Sequence, residues 1–313
     1  RAGNIYNLLQ RVLYRMVEQG QQEYAQIPVI SLNLMGEEKH TGFRITPSLL
    51  SGGIAAGCYG DLIMCLYQQV KPYEQNPGET DRIRSQVEKK LCESIRRHRN
   101  GRHTREKNYR YACEVFSKVP VKPGKKKRVG ITGEIYMKYS KLGNDDIESF
   151  LLRQGMEPYS GGFVNYCLYL VDTERYKAEK YQHNPIMAKA CAFVLHRLCE
   201  AQKHLLTVIG ETDRFQTDLP FPELKEKVQG ILAEGCNTGD GWLVAAEGIQ
   251  YVEKGCGSVL ILHPFGCLVS HVCERGILQR LHARFPDVSI QTIEYDYDQS
   301  KTLRESRILL AIS

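Results

Sequence analysis

The chain has no C-x-x-C pair, no G-x-G-x-x-G and no G-K-[ST]. The first absence argues against a zinc ribbon or a thioredoxin-like site. The other two leave a nicotinamide or ATP site without support. No secretory signal pattern is present, and no apolar run approaches the roughly 20 residues that cross a bilayer. Those absences predict a soluble, cytoplasmic protein that makes no use of a membrane. There is no initiating Met, since residue 1 is Arg, which predicts a fragment or a processed product. No internal repeat stands out.

What is present suits a globular chain. Of 313 residues, 42% are apolar and 25% charged, so bulk disorder is not expected. The length exceeds one ordinary domain and predicts two. The net charge of +6 is concentrated in "RRHRNGRHTREKNYR" (96–110) and "KPGKKKR" (122–128). Such runs can meet phosphate, on nucleic acid or on a cofactor such as coenzyme A. They can equally be a solvated helix end and a linker. No nucleic-acid motif accompanies them, which disfavours a nucleic-acid partner.

Eleven cysteines form no disulfide framework, because the count is odd and the chain is large. Reduced thiols are expected. Cys92, Cys113, Cys167, Cys191 and Cys199 lie in apolar helical patterns and read as small core residues. Cys236 and Cys267 sit in glycine-rich turns, and Cys58 and Cys256 are further exceptions.

The first ~120 residues read as helical. Ile5, Leu8, Leu9, Val12 and Met16 recur at helical spacing. "PVISLNLMG" predicts a short extended segment at 28–36. Thr46-Pro47 opens a long helix that stops before Pro72. Amphipathic patterns predict helices at 80–98 and 104–119. "VPVKPGKKKR" then marks the boundary between a helical region (1–123) and a second domain (124–313).

In that second part strands alternate with helices. Strands are expected in "RVGITGEIYM", "MEPYSGGF", "GSVLILHPFGC" and "VSIQTIEYD". Helices are expected in "NDDIESFLLRQG", over about 163–206, in "FPELKEKVQGILAEG", "DGWLVAAEGIQYVEKG", "VSHVCERGILQRLHARFP" and "SKTLRESRILLAI". Alternation predicts an α/β, Rossmann-like domain with a mostly parallel sheet. Ligands of such sheets gather beyond the C-terminal strand ends. The loops at 133–144, 263–271 and 295–300 therefore matter most.

Three stretches carry candidate chemistry. Glu134 follows the first strand and is either a polar ligand-binding group or a carboxylate accepting backbone donors. Cys236, in "EGCNTGDGW", stands at a helix entrance, where free N–H groups favour thiolate. Asn237, Thr238 and Asp240 can cap that helix. Cys267, in "HPFGC", lies between a strand's C-terminal end and a helix. Thiolate is the soft ligand that iron–sulfur clusters and zinc prefer. One thiol cannot hold a cluster, so others must come from Cys236, from Cys58 or from outside this sequence. The enzymatic rival is a nucleophilic Cys267 with His271 as base. A buried structural cysteine is the bland alternative, and His263 is a neighbour in either case.

"VGITGEIYMKYSKLGNDDIESFLLRQG", "GCNTGDGWLVAAE", "HPFGCLVSHV" and "RFPDVSIQTIEYD", in that order, resemble the C-terminal part of the large acyl-CoA dehydratase activase-related proteins. "SLNLMGEEKHTGFRIT" and "YGDLIMCLYQQVKPYEQNPGETD" are similar to the segment before it. The resemblance covers nearly the whole chain. It implies kinship with 2-hydroxyacyl-CoA dehydratases and double-cubane-cluster proteins, whose subunits hold a [4Fe-4S] cluster between Rossmann-like domains. It implies an electron delivered by an ATP-hydrolysing activase, as a partner module or subunit. It also implies a CoA-ester substrate that loses water through a ketyl radical, and a dimer as a further expectation.

Carried over residue by residue, Cys267 becomes a cluster ligand and Cys236 a second. Glu134 and Tyr136 match a "GEIY" motif at the site mouth, which makes Glu134 and His271 the catalytic candidates. Basic residues 125–128 are candidates for CoA phosphates. "HPFGCLVSH" departs from the more usual "QPFGCLPNH" at Val269 and Ser270, which should alter the turn. The function so implied is an iron–sulfur component of an ATP-dependent reductive system. The alternatives are a non-catalytic electron acceptor that docks the activase, and the thiol enzyme.

Overall fold

The computed structural model describes residues 2–27, 29, 46–296 and 298–313. Two compact units result, Arg1–Leu50 and Ser51–Ser313. In the first, helix α1 (Ala2–Glu18) is followed by a 3₁₀ turn at Gln22–Gln26. Leu8, Leu9 and Val12 of α1 are exposed. The extended segment expected at 28–36 lies outside the described residues, Val29 excepted. Helix α2 (Pro47–Val70) begins as its cap predicts, with Thr46 Oγ1 accepting the Leu49 N–H at 3.1 Å.

Within Ser51–Ser313, α2 is joined by α3 (Glu79–Arg96) and α4 (Arg102–Ser117). Leu62, Leu66 and Val70 of α2 share one buried cluster with Ile83, Val87 and Leu91 of α3 and with Tyr109, Ala112 and Phe116 of α4. The expectation that no stretch is long and apolar enough to span a bilayer is corrected here. Ser48–Tyr73 passes that test by length and composition, with a mean hydropathy of 1.5. One such helix is weak evidence, and this one supplies core side chains. Packing accounts for part of its apolar character, since 33% of that window is buried.

The sheet has four parallel strands in the order β2–β1–β3–β4: β1 (Arg128–Gly133), β2 (Glu157–Tyr159), β3 (Ser258–Pro264) and β4 (Ser289–Tyr295). Both faces are covered, as the continuous apolar runs of β1 and β3 require. Val259 and Ile261 belong to the cluster that holds Trp242 and Ile249 of α10 (Gly241–Glu253). Leu260 and Leu262 face the opposite cluster, with Phe150 and Leu151 of α6 (Ile147–Arg153) and Ile308 of α12 (Lys301–Ile312). This is the α/β, Rossmann-like class that the strand–helix alternation predicts.

Three helical expectations change. The stretch at 163–206 is two helices, α7 (Phe163–Lys180) and α8 (Pro185–Gly210). His183 takes a positive φ of 47° just before Asn184, which caps α8 by accepting the Met187 N–H, and Pro185 starts the new helix. "FPELKEKVQGILAEG" yields only α9 (Phe221–Glu226), because Gly230, at φ +78°, turns the chain. Cys92 is exposed, while Cys113 is buried as expected.

The basic runs mostly find local partners. Arg96 and Arg97 pair with Glu93, and Arg110 pairs with Glu106 and Glu211. Lys127 donates to the Ile312 carbonyl, and Arg128 binds Glu157. Residues 125–128 stand at the N-terminal edge of β1. That is roughly 17 Å from its other end, at about 3.3 Å per residue. They lie at the opposite edge from the thiol-bearing loops. The 120–127 stretch belongs to the Ser51–Ser313 unit, where Pro120 accepts from Gln75 N–H and Lys122 N–H donates to Tyr73.

Candidate metal centre

The strand order reverses between β1 and β3, with β2 on one side and β4 on the other. The crevice beyond the C-terminal ends of two such strands is where α/β sheets take ligands. Glu134 follows β1, and Cys267 follows β3. The two strand ends are very close here. A Cβ on Gly133, whose φ is +131°, would meet the Leu262 carbonyl oxygen at 2.0 Å, so only glycine fits.

Glu134 caps α5 (Ile135–Tyr139), its Oε2 accepting the Met137 N–H at 3.0 Å. The backbone-donor reading of this carboxylate therefore describes what it does. Tyr136 is exposed. Asp240, expected to cap its own helix α10, makes no such bond. It reaches the Ile135 backbone N–H instead. Burial, and next the charge of Glu134, push its carboxyl up to about 7.

The turn 236–241 is tight. The Cys236 carbonyl accepts the Trp242 N–H at 2.9 Å, and a Cβ on Gly241 would meet that oxygen at 2.2 Å. A Cβ on Gly239 would touch Val269 at 3.2 Å, so this turn lies against the segment that leaves β3. That segment is unusual: Ser270–Glu274 forms a π turn, Arg275–Ile277 a 3₁₀ turn, and only then does α11 (Leu278–Arg284) begin. π turns inside helices occur often at functional sites.

Between Cys236 and Cys267 stands a third cysteine that sequence reasoning did not select. The Cys273 thiol is within hydrogen-bonding reach of Cys236 and has Cys267 as a neighbour. Burial, and next the charge of Cys236, push Cys273 up to about 11. Cys58 is elsewhere, with Asp61, Tyr109, Arg105 and Cys167 around it. Cys256 precedes β3, at the opposite edge of the sheet.

Among the buried polar atoms around these thiols, Asn237 Nδ2 is the clear case of one with no hydrogen-bond partner. The Ser270 hydroxyl, by contrast, lies beside the Glu274 carboxylate and the Tyr169 hydroxyl beside Thr173. Buried polar groups are normally paired, at a cost of about 1–3 kcal/mol for each one left unsatisfied. Glu274 is 1% exposed. Burial, helped by the charges of Asp240 and Glu134, pushes it up to about 8.

His271 does not approach the Cys267 thiol as a base would. Its Nδ1 lies 2.8 Å from the Cys267 backbone carbonyl, and its Nε2 faces Glu294 and Arg275. His263 is fully buried, and burial lowers its pKa, which favours the neutral ring.

The raised carboxyls fix a pH dependence. A carboxyl whose folded value lies above its ordinary one binds a proton more tightly when folded. Its contribution to stability is complete below the ordinary value and is lost as pH rises through the folded value. For Glu274 the window runs from 4.5 to about 8. Stability should fall across it by up to about 1.4 kcal/mol per pH unit. Urea unfolding at pH 5, 7 and 8.5 should show that fall, and a flatter profile for Glu274→Gln. Identical profiles would refute the assignment.

No protein family, no curated protein and no solved structure matches the chain.

Proposed function

We propose that this chain is an iron–sulfur component of an ATP-dependent reductive system, similar to a 2-hydroxyacyl-CoA dehydratase, that accepts its electron from an activase. The observation that carries this reading is that the Cys273 thiol stands beside Cys236, with Cys267 as a further neighbour, at the β1/β3 crevice.

Thiols are soft donors of the kind that iron takes in [4Fe-4S] centres, and such a centre wants four ligands. Cys236, Cys267 and Cys273 would supply three of them once drawn together, and a fourth would come from elsewhere. Asn237 Nδ2 is a free donor for a cluster sulfur, the kind of outer contact that tunes potential. When bound, the cluster would supply one-electron chemistry.

The chain's own residues do the rest. Glu274 and Asp240, buried with carboxyls raised to about 8 and about 7, can each hold a proton beside the thiols near neutral pH. Lys138, whose Nζ lies 2.8 Å from both Glu247 oxygens, is a cation fixed beneath the crevice. A cytoplasmic setting, where thiols stay reduced, suits this chemistry.

The test is anaerobic. Chain reconstituted with iron and sulfide is mixed with an ATP-hydrolysing activase, and cluster absorbance is followed. ATP-dependent bleaching is expected; bleaching that is absent, or that ignores ATP, would reject the reading. Turnover of a 2-hydroxyacyl-CoA in the same mixture separates a catalytic component from a docking module that only accepts the electron.

A further inference from the structure

A second group of donors stands beside the thiols, at the ends of β3 and β4. His271 Nδ1 lies 2.8 Å from the Cys267 carbonyl oxygen. A carbonyl only accepts, so Nδ1 carries the proton and Nε2 keeps its lone pair. That Nε2 faces Glu294 Oε2, another acceptor, at 3.8 Å. His263 Nδ1 lies 3.8 Å from the same oxygen. One ligand atom from each of the three residues is within 4.8 Å of the other two.

His263 Nδ1 also lies 3.4 Å from the Pro264 carbonyl oxygen and can carry its proton there. His271 Nε2 and the Glu294 carboxylate, by contrast, are two acceptors turned toward one another, which is favourable only around a cation. In this structure the Arg275 guanidinium serves, at 3.0 Å from Glu294 Oε2 and 3.5 Å from His271 Nε2. Arg275 is a long side chain, 40% exposed, and can swing into water. His263 is 0% exposed, sits on a strand and is fixed by packing. Glu294 is held on the neighbouring strand, in register with His263. Two strand positions and one helical turn thus fix the donors before anything binds.

We propose that His263, His271 and Glu294 form the protein side of a site for a divalent transition-metal ion, of the zinc or ferrous class, distinct from the thiol centre. Two imidazoles and one carboxylate are a known donor set for both ions. A tetrahedral ion with bonds of about 2.0–2.2 Å holds its ligands about 3.3–3.6 Å apart. The observed spacings, up to 4.8 Å, need to close by up to about 1.5 Å. The Cys267 carbonyl gives His271 the outer hydrogen bond that ligating histidines use to fix their tautomer. Three protein ligands leave room on the ion for water or for an oxygen of a substrate. Cys267 joins the two places: its side chain faces the thiol group, and its carbonyl orients His271.

The experiment titrates the full-length, iron-free, reduced chain with Co²⁺ and follows visible absorption, with Zn²⁺ as competitor. One equivalent should bind without a sulfur-to-cobalt charge-transfer band and should be displaced by Zn²⁺. His271→Ala and Glu294→Gln should each weaken it by roughly tenfold or more. Arg275→Ala, which removes the competing cation, should tighten it. His271 is 40% exposed, so its replacement tests binding without emptying the core, and far-UV circular dichroism checks the fold. Cobalt bound only with the thiolate band overturns the proposal. So does a nitrogen- and oxygen-bound equivalent that is unchanged in both ligand variants, or no such equivalent in wild type and Arg275→Ala. The titration does not depend on cluster assembly, so either site can fail without the other.

Discussion

Cys267→Ala, reconstituted anaerobically with iron and sulfide, is expected to lose most of its iron–sulfur absorbance and bound iron, whereas Cys92→Ala keeps both. Cys236→Ala and Cys273→Ala should behave like Cys267→Ala. The contrast follows from position. Cys273 stands beside Cys236, with Cys267 as a further neighbour, at the sheet's C-terminal edge, while Cys92 is exposed on α3. A cubane that loses one of its thiolates loses a bond that no neutral side chain nearby replaces. Iron content, sulfide content and absorbance are measured together. Equal reconstitution without Cys267 would end its assignment as a ligand. Equal reconstitution without Cys273 alone would confine the cluster to the two thiols read from the sequence and to ligands from elsewhere.

The second large effect concerns the floor of the crevice. Lys138→Met is expected to destabilise the fold by about 3–5 kcal/mol, the usual cost of leaving one member of a buried ion pair without its partner. Lys138 and Glu247 side chains are each 3% exposed, and Nζ touches both carboxylate oxygens at 2.8 Å. Thr132 Oγ1 donates to Glu247 at 2.7 Å, which satisfies one lone pair but brings no charge. Glu247→Gln added to Lys138→Met should recover much of the loss, because no uncompensated charge remains. Urea unfolding of the single and double variants measures both steps. A single variant within about 1 kcal/mol of wild type, or a double variant no better than the single, would contradict the buried-pair account. Lys138 also lowers the Asp240 carboxyl, so its loss should drive Asp240 further toward the neutral form.

Much of the fold could be read in advance because its signals are local. Thr46 before Pro47 and the glycines after "VEK" and "LLRQ" act within a few residues and appear where expected, whereas Asp240 does not cap its own helix. The β1 and β3 runs are apolar without alternation, which only a sheet covered on both faces tolerates. Where prediction failed, a local signal was overruled or underweighted. Asn184-Pro185 split one long helix, Gly230 cut another short, and α2 proved apolar enough for a bilayer yet lies partly in a core.

The candidate site divides along the same line. The sequence alone determined that Cys236 and Cys267 sit in turns at helix entrances, that Glu134 follows a strand and that the sheet is parallel. A strand's end and a helix's start are properties of neighbouring residues. Only the tertiary structure decided that Cys273 joins the two thiols. Its six-residue spacing from Cys267 would place it about 240° round a regular α-helix. The π turn at Ser270–Glu274 replaces that geometry. The fold also decided that His271 serves Glu294 rather than a thiol, that Asp240 reaches across to α5, and that residues 125–128 stand at the far edge of the sheet. Each of these depends on which strands lie side by side, and side-by-side placement is set by burial summed over the whole chain.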